Sequence, residues 1–400
     1  MITWTKQKIY EIAEEQRISY TPNSFENLPY IGLENIQEGN LRLSGIGNST
    51  EVISQKKKFY KGDILYGSLR PYFRKVVKAK FDGVSSTDIT VIKPKENSDR
   101  DFLFYLIASQ EFIKKASMAS NGTKMPRAGW KIIKDFVFYV PESKAQSEIG
   151  LTLSSYDNLI ENNEKRIKIL EELAQRLYVE WFVNFRFPGH EKVKMVKSRT
   201  ELGIIPEGWE IKKLINVTSY IGRGISPKYD ADAKSIVINQ KCIRNRKLGF
   251  ENARTQSKAI SSEKQIKFGD VLINSTGVGT LGRVTQVYDD YNNCTVDSHV
   301  SIVRFSNINS IDYLGNVLLN LEDYFTRMGM GATGQTELSR LTIQNTLLLY
   351  PPLELQKIFS DFISPHRRLI ISLLKSNQNL NLMRDLLIPQ LVTGRKGLKS

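Results

Sequence analysis

The chain has 400 residues, with 57 Lys and Arg against 42 Asp and Glu, a formal net charge of +15. That excess favours a polyanionic partner, and a basic balance is the first signature of a nucleic-acid binder. No apolar run approaches the ~20 residues of a membrane span, and the opening Met1-Ile2-Thr3-Trp4-Thr5-Lys6 lacks the apolar core of a secretion signal. Two cysteines, Cys242 and Cys294, cannot make a disulfide framework and fit a reducing compartment, so a cytoplasmic location is expected.

Taken in chain order, Trp4 with Lys6, Lys8 and Ile9 opens a strand-rich stretch. Phe59-Tyr60, Asp63-Ile64-Leu65-Tyr66, Arg74-Lys75-Val76-Val77 and Ile89-Thr90-Val91-Ile92 read as strands, punctuated by Gly, Pro and Ser. Residues 100–116 carry helical spacing through Phe102, Leu103, Leu106, Phe112 and Ile113. A loop at 120–129 follows, and Phe136-Val137-Phe138-Tyr139-Val140 closes the stretch as a buried strand. The pattern predicts an α+β module with one sheet and few helices.

The chain then repeats itself. Gly62-Asp63-Ile64-Leu65 returns as Gly269-Asp270-Val271-Leu272, and Trp4 with its lysines returns as Trp209 with Lys212 and Lys213. Ser85-Ser86-Thr87-Asp88-Ile89 aligns with Val296-Asp297-Ser298-His299-Val300, and Asn121 through Pro141 with Thr333 through Pro352. The second copy predicts strands at 266–273, 283–288, 299–305 and 347–350, a helix at 311–328 and a loop at 329–337.

After each module the apolar period becomes 3.5. Tyr156, Ile160, Asn163, Ile167, Leu170, Ala174, Leu177 and Trp181 step alternately by four and three, as do His366, Ile370, Leu373, Asn377, Leu380, Arg384 and Leu387. Ser364-Pro365 has the form of a helix N-terminus and Pro389 of a stop. Heptads in equal phase, each with one seam asparagine, predict that the helices 154–182 and 364–388 pair as an antiparallel coiled coil, a spacer rod roughly 40 Å long. Leu159, Leu173 and Val179, with Leu369, Leu374, Leu382 and Leu386, fall outside the seam and suit a partner subunit. The expected division is therefore 1–150 and 201–360 as modules, with 151–200 and 361–400 as helical spacers, in an internal pseudo-twofold repeat.

Catalytic patterns fail one by one. Gly277-Val278-Gly279-Thr280-Leu281-Gly282 matches a dinucleotide string, but Arg283-Val284-Thr285-Gln286-Val287-Tyr288 alternates as a strand where a helix N-terminus is needed. Asp135 with Glu142 and Lys144 resembles a metal-dependent nuclease constellation that the second copy does not share. His190, His299 and His366 are scattered, without zinc spacing. A non-catalytic protein without cofactor or metal is expected. A stand-alone nuclease or methyltransferase, or a sequence-neutral DNA-bridging protein, is the competing reading.

Tandem α+β modules, each followed by a long helix, resemble the specificity subunit of type I restriction–modification enzymes. Leu202-Gly203-Ile204-Ile205-Pro206-Glu207-Gly208-Trp209 is similar to the opening of that family's target-recognition domains. Leu173-Ala174-Gln175 through Trp181-Phe182 is similar to the end of its central helix, and Leu387-Ile388-Pro389-Gln390-Leu391-Val392-Thr393-Gly394 to its C-terminal signature. The resemblance implies a DNA-reading subunit that binds double-stranded DNA and holds two methyltransferase subunits, with two motor-nuclease (restriction) subunits in the restriction form. It implies a bipartite, asymmetric DNA site, one part per module.

Affinity for DNA comes from cations on phosphates and specificity from groups at base edges. The turn 68–75 mixes both kinds, through Ser68, Arg70, Tyr72, Arg74 and Lys75. The loop 121–127 adds Asn121, Thr123, Lys124 and Arg127. In the second module the cognate groups are Asn274, Ser275, Thr276 and Arg283, then Gln335 and Thr336. Asp88 and His299 hold equivalent places, each able to reach a base or to cap a loop.

Overall fold

A computed structural model describes residues 2–23, 26–122, 124–198, 203–329 and 337–394. The chain divides into two compact units, one formed by Met1–Asn163 with Ser376–Ser400, the other by Glu164–Lys375.

In the first unit the central sheet has four strands, in the order Ala13–Glu15, Ile89–Pro94, Ile64–Gly67, Val76–Lys78. Both inner strands are buried along nearly their whole length, which is why they read as continuous apolar runs. A second sheet of five short strands, Ser19–Tyr20, Lys56–Phe59, Gly83–Ser85, Pro29–Ile31 and Gly47–Asn48, lies beside it. The expectation of one sheet per module is therefore corrected. Strands of two to four residues leave no period to read, and the contact of Pro29–Ile31 with Gly83–Ser85 is parallel and distant in sequence.

The predicted helix at 100–116 is two helices, Arg100–Ala108 and Gln110–Met118. Ser109 divides them: its hydroxyl accepts the Phe112 N–H and so starts the second helix. Trp4–Lys8 pairs antiparallel with Val137–Pro141, with Lys8 opposite Val137. That strand is not buried on both faces, since Val137 and Tyr139 are exposed and Phe138 and Val140 buried.

The second unit repeats this plan. Its central sheet runs Thr218–Arg223, Val300–Phe305, Val271–Asn274, Val284–Gln286, the same order as in the first unit. Ser235–Ile238 pairs in parallel with Cys294–Val296, as Pro29–Ile31 does with Gly83–Ser85. Two helices again replace one, Ile311–Asn320 and Glu322–Gly329, and Glu210–Lys213 pairs with Leu347–Tyr350.

The repeated Gly-Asp step is a turn lock. Gly62 and Gly269 take φ of +95° and +87°, and the next carboxylate accepts a backbone N–H three residues back, Tyr60 to Asp63 at 2.7 Å and Lys267 to Asp270 at 2.8 Å. Burial raises the pKa of both carboxyls. Gln16 donates to Asp63, whereas Asp270 receives both Nε and Nη2 of Arg304, at 2.8 and 2.7 Å.

The long helices begin earlier than the sequence suggested, at Ser143 and Leu353, and run to Tyr178 and Val392. Pro365 neither starts the second helix nor does Pro389 end it. A proline inside a helix forfeits one backbone hydrogen bond. Here Phe359, Ile363, Ile388 and Leu391 are buried on either side and hold the path.

Within the first unit the two helices run antiparallel. Asn163 donates to Asn377 at 2.8 Å, and Arg384 to Asp157 at 2.5 Å. Ile149 and Leu153 share one core with Ile388, Leu391 and Val392. Arg384 is completely buried in a seam position, and Asp157 also accepts the Tyr105 hydroxyl at 2.5 Å.

Within the second unit Val179–Val183 forms a π-helical turn that brings Phe182 to 4.5 Å from the Tyr313 ring and 5.0 Å from Phe359. Trp209 joins the cluster at 6.0 Å, so the Trp-Phe pair ending the first helix anchors the start of the second module. No helix among the described residues is long and apolar enough to cross a membrane.

Candidate nucleic-acid interface

Three loops of the first unit meet at one end of the central sheet. The strand Ile64–Gly67 delivers Ser68, whose N–H and hydroxyl both donate to the Asp88 carbonyl, at 2.8 and 2.6 Å. The Ser68 carbonyl accepts the Ala128 N–H at 2.9 Å, and the Arg70 N–H reaches the Pro126 carbonyl at 2.8 Å. Leu69 and Asn121 each form a bridge with Arg127. The turn between is tight, with Arg70 and Arg74 both left-handed (φ 50° and 49°) around the short helix Pro71–Phe73. A non-glycine residue held there costs of order 1 kcal/mol or more, so the surrounding bonds impose the shape.

The second unit builds the same frame. The Ser275 N–H donates to the His299 carbonyl at 2.8 Å, the Ser275 carbonyl accepts the Leu338 N–H at 2.8 Å, and Thr276 bridges Glu337. Ser68, Asp88, Ala128 and Leu69 thus correspond to Ser275, His299, Leu338 and Thr276. The partner of Arg127 is Glu337, a register one or two residues away from the sequence alignment of these loops. The paired strands fix it, because Lys8 opposes Val137 as Lys213 opposes Leu347.

The frame sorts the expected site residues. Arg70, Tyr72, Asn121, Lys124 and Arg127 are exposed. Arg127 Nε donates to Asp88 Oδ1 at 3.1 Å. Lys75 is partly spoken for, with Nζ 2.7 Å from the Leu33 carbonyl. Arg74 is turned inward: its Nε donates to the Ala108 carbonyl at 2.6 Å, and its Nη2 lies 3.4 Å from Asp385. Burial lowers its pKa, and Asp385 opposes that shift. As a group for DNA, Arg74 is corrected to a structural one.

The same revision holds for Ser68, Asn274 and Ser275, all buried. Asn274 donates to the carbonyls of Gln240 and Thr280, both at 3.0 Å, and Ser275 shares a hydrogen bond with Ser301 at 2.6 Å. These side chains build the loops and do not project from them.

His299 is exposed, 2.6 Å from the Thr276 hydroxyl through Nδ1. Its N–H donates to Asp297, whose carboxyl pKa is raised by burial. Arg283 donates to the Gly279 carbonyl at 2.8 Å. Thr123, Gln335 and Thr336 lie outside the described residues.

Two residues at this end were not among the candidate site residues, although the sequence placed Glu337 at the end of the candidate loop 334–337. Glu337 closes the second polar loop, and Arg223, 114 residues away, holds it at 2.8 Å. Only strand pairing joins them, so no local signal could have linked the two. Tyr229 and Arg254, stacked at 3.4 Å in the stretch between the first two strands of the second module's central sheet, are another exposed aromatic–cation pair that periodicity passed over.

The catalytic near-misses take ordinary places. The glycine string 277–282 links the strands Val271–Asn274 and Val284–Gln286. Asp135 lies 3.8 Å from Lys8 and 3.7 Å from Lys134. Among the described residues no group of three His, Cys, Asp or Glu could hold a metal ion.

A duplicated α+β unit with a repeated loop frame and paired helices defines a class, and comparison with known proteins identifies it. The type I restriction modification DNA specificity domain matches residues 1–172 and again 206–382, so the chain belongs to that family. Among its relatives, the type I restriction enzyme MjaIX specificity subunit of Methanocaldococcus jannaschii is 24% identical over 391 residues, covering 94% of this chain and 85% of the relative. The HindI specificity subunit of Haemophilus influenzae is 28% identical over 193 residues, 46% of this chain and 42% of its own. The crystal structure of the type I restriction–modification S subunit from M. genitalium superposes with a TM-score of 0.61 at 16% identity, over 98% of this chain and 96% of that one, and so shares the fold.

Proposed function

We propose that this chain is the DNA sequence-recognition subunit of a type I restriction–modification complex, reading a bipartite, asymmetric site with one half-sequence per module. The observation that carries the reading is the repeated loop frame. The backbone hydrogen bonds at Ser68 and Ser275 are the same, while the side chains around them differ, half-buried Asp88 against exposed His299 and Arg127 against Glu337. A protein that only neutralised phosphates would have no use for different side chains on one frame. The net charge of +15 supplies the non-specific attraction to DNA.

The subunit recognises and does not catalyse; chemistry belongs to the methyltransferase subunits with which it works. We assign two of these per chain, one for each repeat, with two motor-nuclease subunits in a restricting form, in the cytoplasm. Leucines outside the seams support docking on the helices: Leu159, Leu382 and Leu386 in the first unit are 52, 64 and 65% exposed, and Leu173, Leu369 and Leu374 in the second 39, 38 and 41%. Residues 1–150 and 201–360 are the proposed reading modules, with 151–200 and 361–400 as their helical spacers.

Co-expression with the methyltransferase subunit, followed by long-read methylation mapping of the host genome, tests this reading. One interrupted, asymmetric motif is expected. Exchanging residues 1–150 for those of another family member should change one half of it and leave the other intact. A swap that altered both halves, or a complex that methylated without a motif, would refute the reading.

A further inference from the structure

We propose that positions 127 and 337 are the equivalent base-reading positions of the two modules, with Arg127 reading a guanine in one half-sequence and Glu337 a cytosine in the other. This rests on the chain being a DNA sequence-recognition subunit.

Both residues stand one step before the N–H that bonds the frame serine, Ala128 in one unit and Leu338 in the other. Both face the residue after that serine, Leu69 or Thr276. Their side chains are half exposed, 50% for Arg127 and 56% for Glu337.

Each is held from one flank by an opposite charge on another element. Asp88 takes Arg127 Nε at 3.1 Å, and Arg223 takes Glu337 Oε1 at 2.8 Å. Among the described residues the two Nη nitrogens of Arg127 and Oε2 of Glu337 have no protein partner. An exposed ion pair adds little stability, yet an opposite charge recurs beside one frame position with the sign reversed, and in the second unit Arg223 also reaches the Leu338 carbonyl at 3.3 Å. What the pairing does provide is orientation: a long side chain fixed on one edge presents its other edge with less rotamer freedom to lose.

The chemistry then follows from the donor pattern of each group. The free fork of a guanidinium matches O6 and N7 of guanine, and a carboxylate accepts from the N4 amino group of cytosine. Contact with phosphate would suit Arg127, but a carboxylate at the matching place is repelled by phosphate. One role that serves both modules must therefore lie at base edges. Reversing donor for acceptor on a shared frame makes the two half-sequences differ at the corresponding base pair.

The test uses the full complex with its methyltransferase subunit, by methylation mapping and by fluorescence anisotropy on duplexes substituted one base pair at a time. Arg127→Ala should relax one position at which the wild type requires guanine, losing about ten- to hundredfold in discrimination there, while the other half-sequence and the gap stay as they were. Glu337→Gln should relax one cytosine in the other half. Asp88→Asn should weaken the same guanine preference as Arg127→Ala, and less strongly. Uniform weakening on every duplex with a shallower salt dependence would make Arg127 a phosphate contact and overturn the proposal.

Should Arg127→Ala fail to assemble, Arg127→Gln decides: it keeps a long polar side chain but replaces the guanidinium with an amide, whose donor and acceptor match adenine. Full guanine discrimination by the glutamine variant would overturn the proposal, and a shift of that one position from guanine toward adenine supports it. Loss of any bipartite motif in the wild-type complex would instead strike the underlying reading of the chain, so the two failures are distinct.

Discussion

Arg384 is the largest fully buried side chain among the described residues, and its removal should be felt across the first unit. It is fully buried in the helix seam, with Nη1 2.5 Å from Asp157 and Nη2 3.2 Å from Asp385. Arg384→Met removes the cation and leaves its carboxylates. Breaking one side of a buried pair costs about 3–5 kcal/mol. Asp157 keeps the Tyr105 hydroxyl at 2.5 Å and Arg42 at 3.9 Å, and Asp385 keeps Arg74 at 3.4 Å, so the lower end of that range applies. A loss of about 3 kcal/mol is a little over a hundredfold in the opening equilibrium.

Hydrogen–deuterium exchange in mild urea, read on peptides of 143–163 and 376–394, should show that acceleration, with peptides of the second unit unchanged. Asp157→Asn combined with Arg384→Met removes both charges, keeps an acceptor for the Tyr105 hydroxyl and should recover most of the loss, because neither charge is left stranded. A single variant costing less than about 1 kcal/mol would refute the reasoning, as would a double variant whose loss equals the sum of the two singles.

Asn163→Leu should destabilise the first unit by about 1–3 kcal/mol, because Asn377 is left buried without its partner, and adding Asn377→Leu should restore the loss in urea unfolding while loosening helix register. Arg74→Ala should lower stability without changing the salt slope of DNA binding, whereas Lys124→Ala should do the reverse; a reduced salt slope for Arg74→Ala would return that residue to the DNA-facing set. Burial raises the Asp270 carboxyl pKa above its ordinary value of 3.8. The folded state therefore takes up this proton before the unfolded chain does, and this group's contribution to stability should grow as pH falls through the interval just above 3.8. Asp270→Asn should remove that slope from the difference in urea midpoints between wild type and variant, and a slope of opposite sign would contradict the assignment. Finally, the isolated chain should neither methylate nor cut DNA, an expectation that fails if a partner-free preparation shows an activity abolished by Asp135→Asn or Glu142→Gln.

What was legible in the sequence was whatever repeats or has a period. The Gly-Asp turns, the inner strands after them and the seam through Asn163 and Asn377 could all be read, because burial on both faces or on one stripe imprints a pattern on the chain. The second sheet could not, since its strands are too short to show a period and pair across long separations. The helix starts were misplaced because Pro365 is a strong local signal, yet tertiary packing of Phe359 and Ile363 overrode it.

The loop residues divided for a related reason. Polar character alone could not tell Asn274 and Ser275, which satisfy buried backbone groups, from Arg127, which faces outward. Nor could it reveal that Glu337 answers to Arg223 from a strand 114 residues earlier.

The make-up of the first unit has a consequence for how the chain comes to be folded. Ile388, Leu391 and Val392 are buried at 1, 7 and 0% exposure in the same core as Ile149 and Leu153, so residues synthesised first wait for partners made some two hundred positions later. The second unit is a single uninterrupted stretch, Glu164–Lys375. On the ribosome, where chains grow at roughly 5–20 residues per second, the second unit can close while the first still lacks a wall. Order of folding then runs opposite to order of synthesis. A stop in the last turns of the final long helix, after Lys375, would leave the second unit intact and the first with an open apolar groove, a species suited to capture by chaperones.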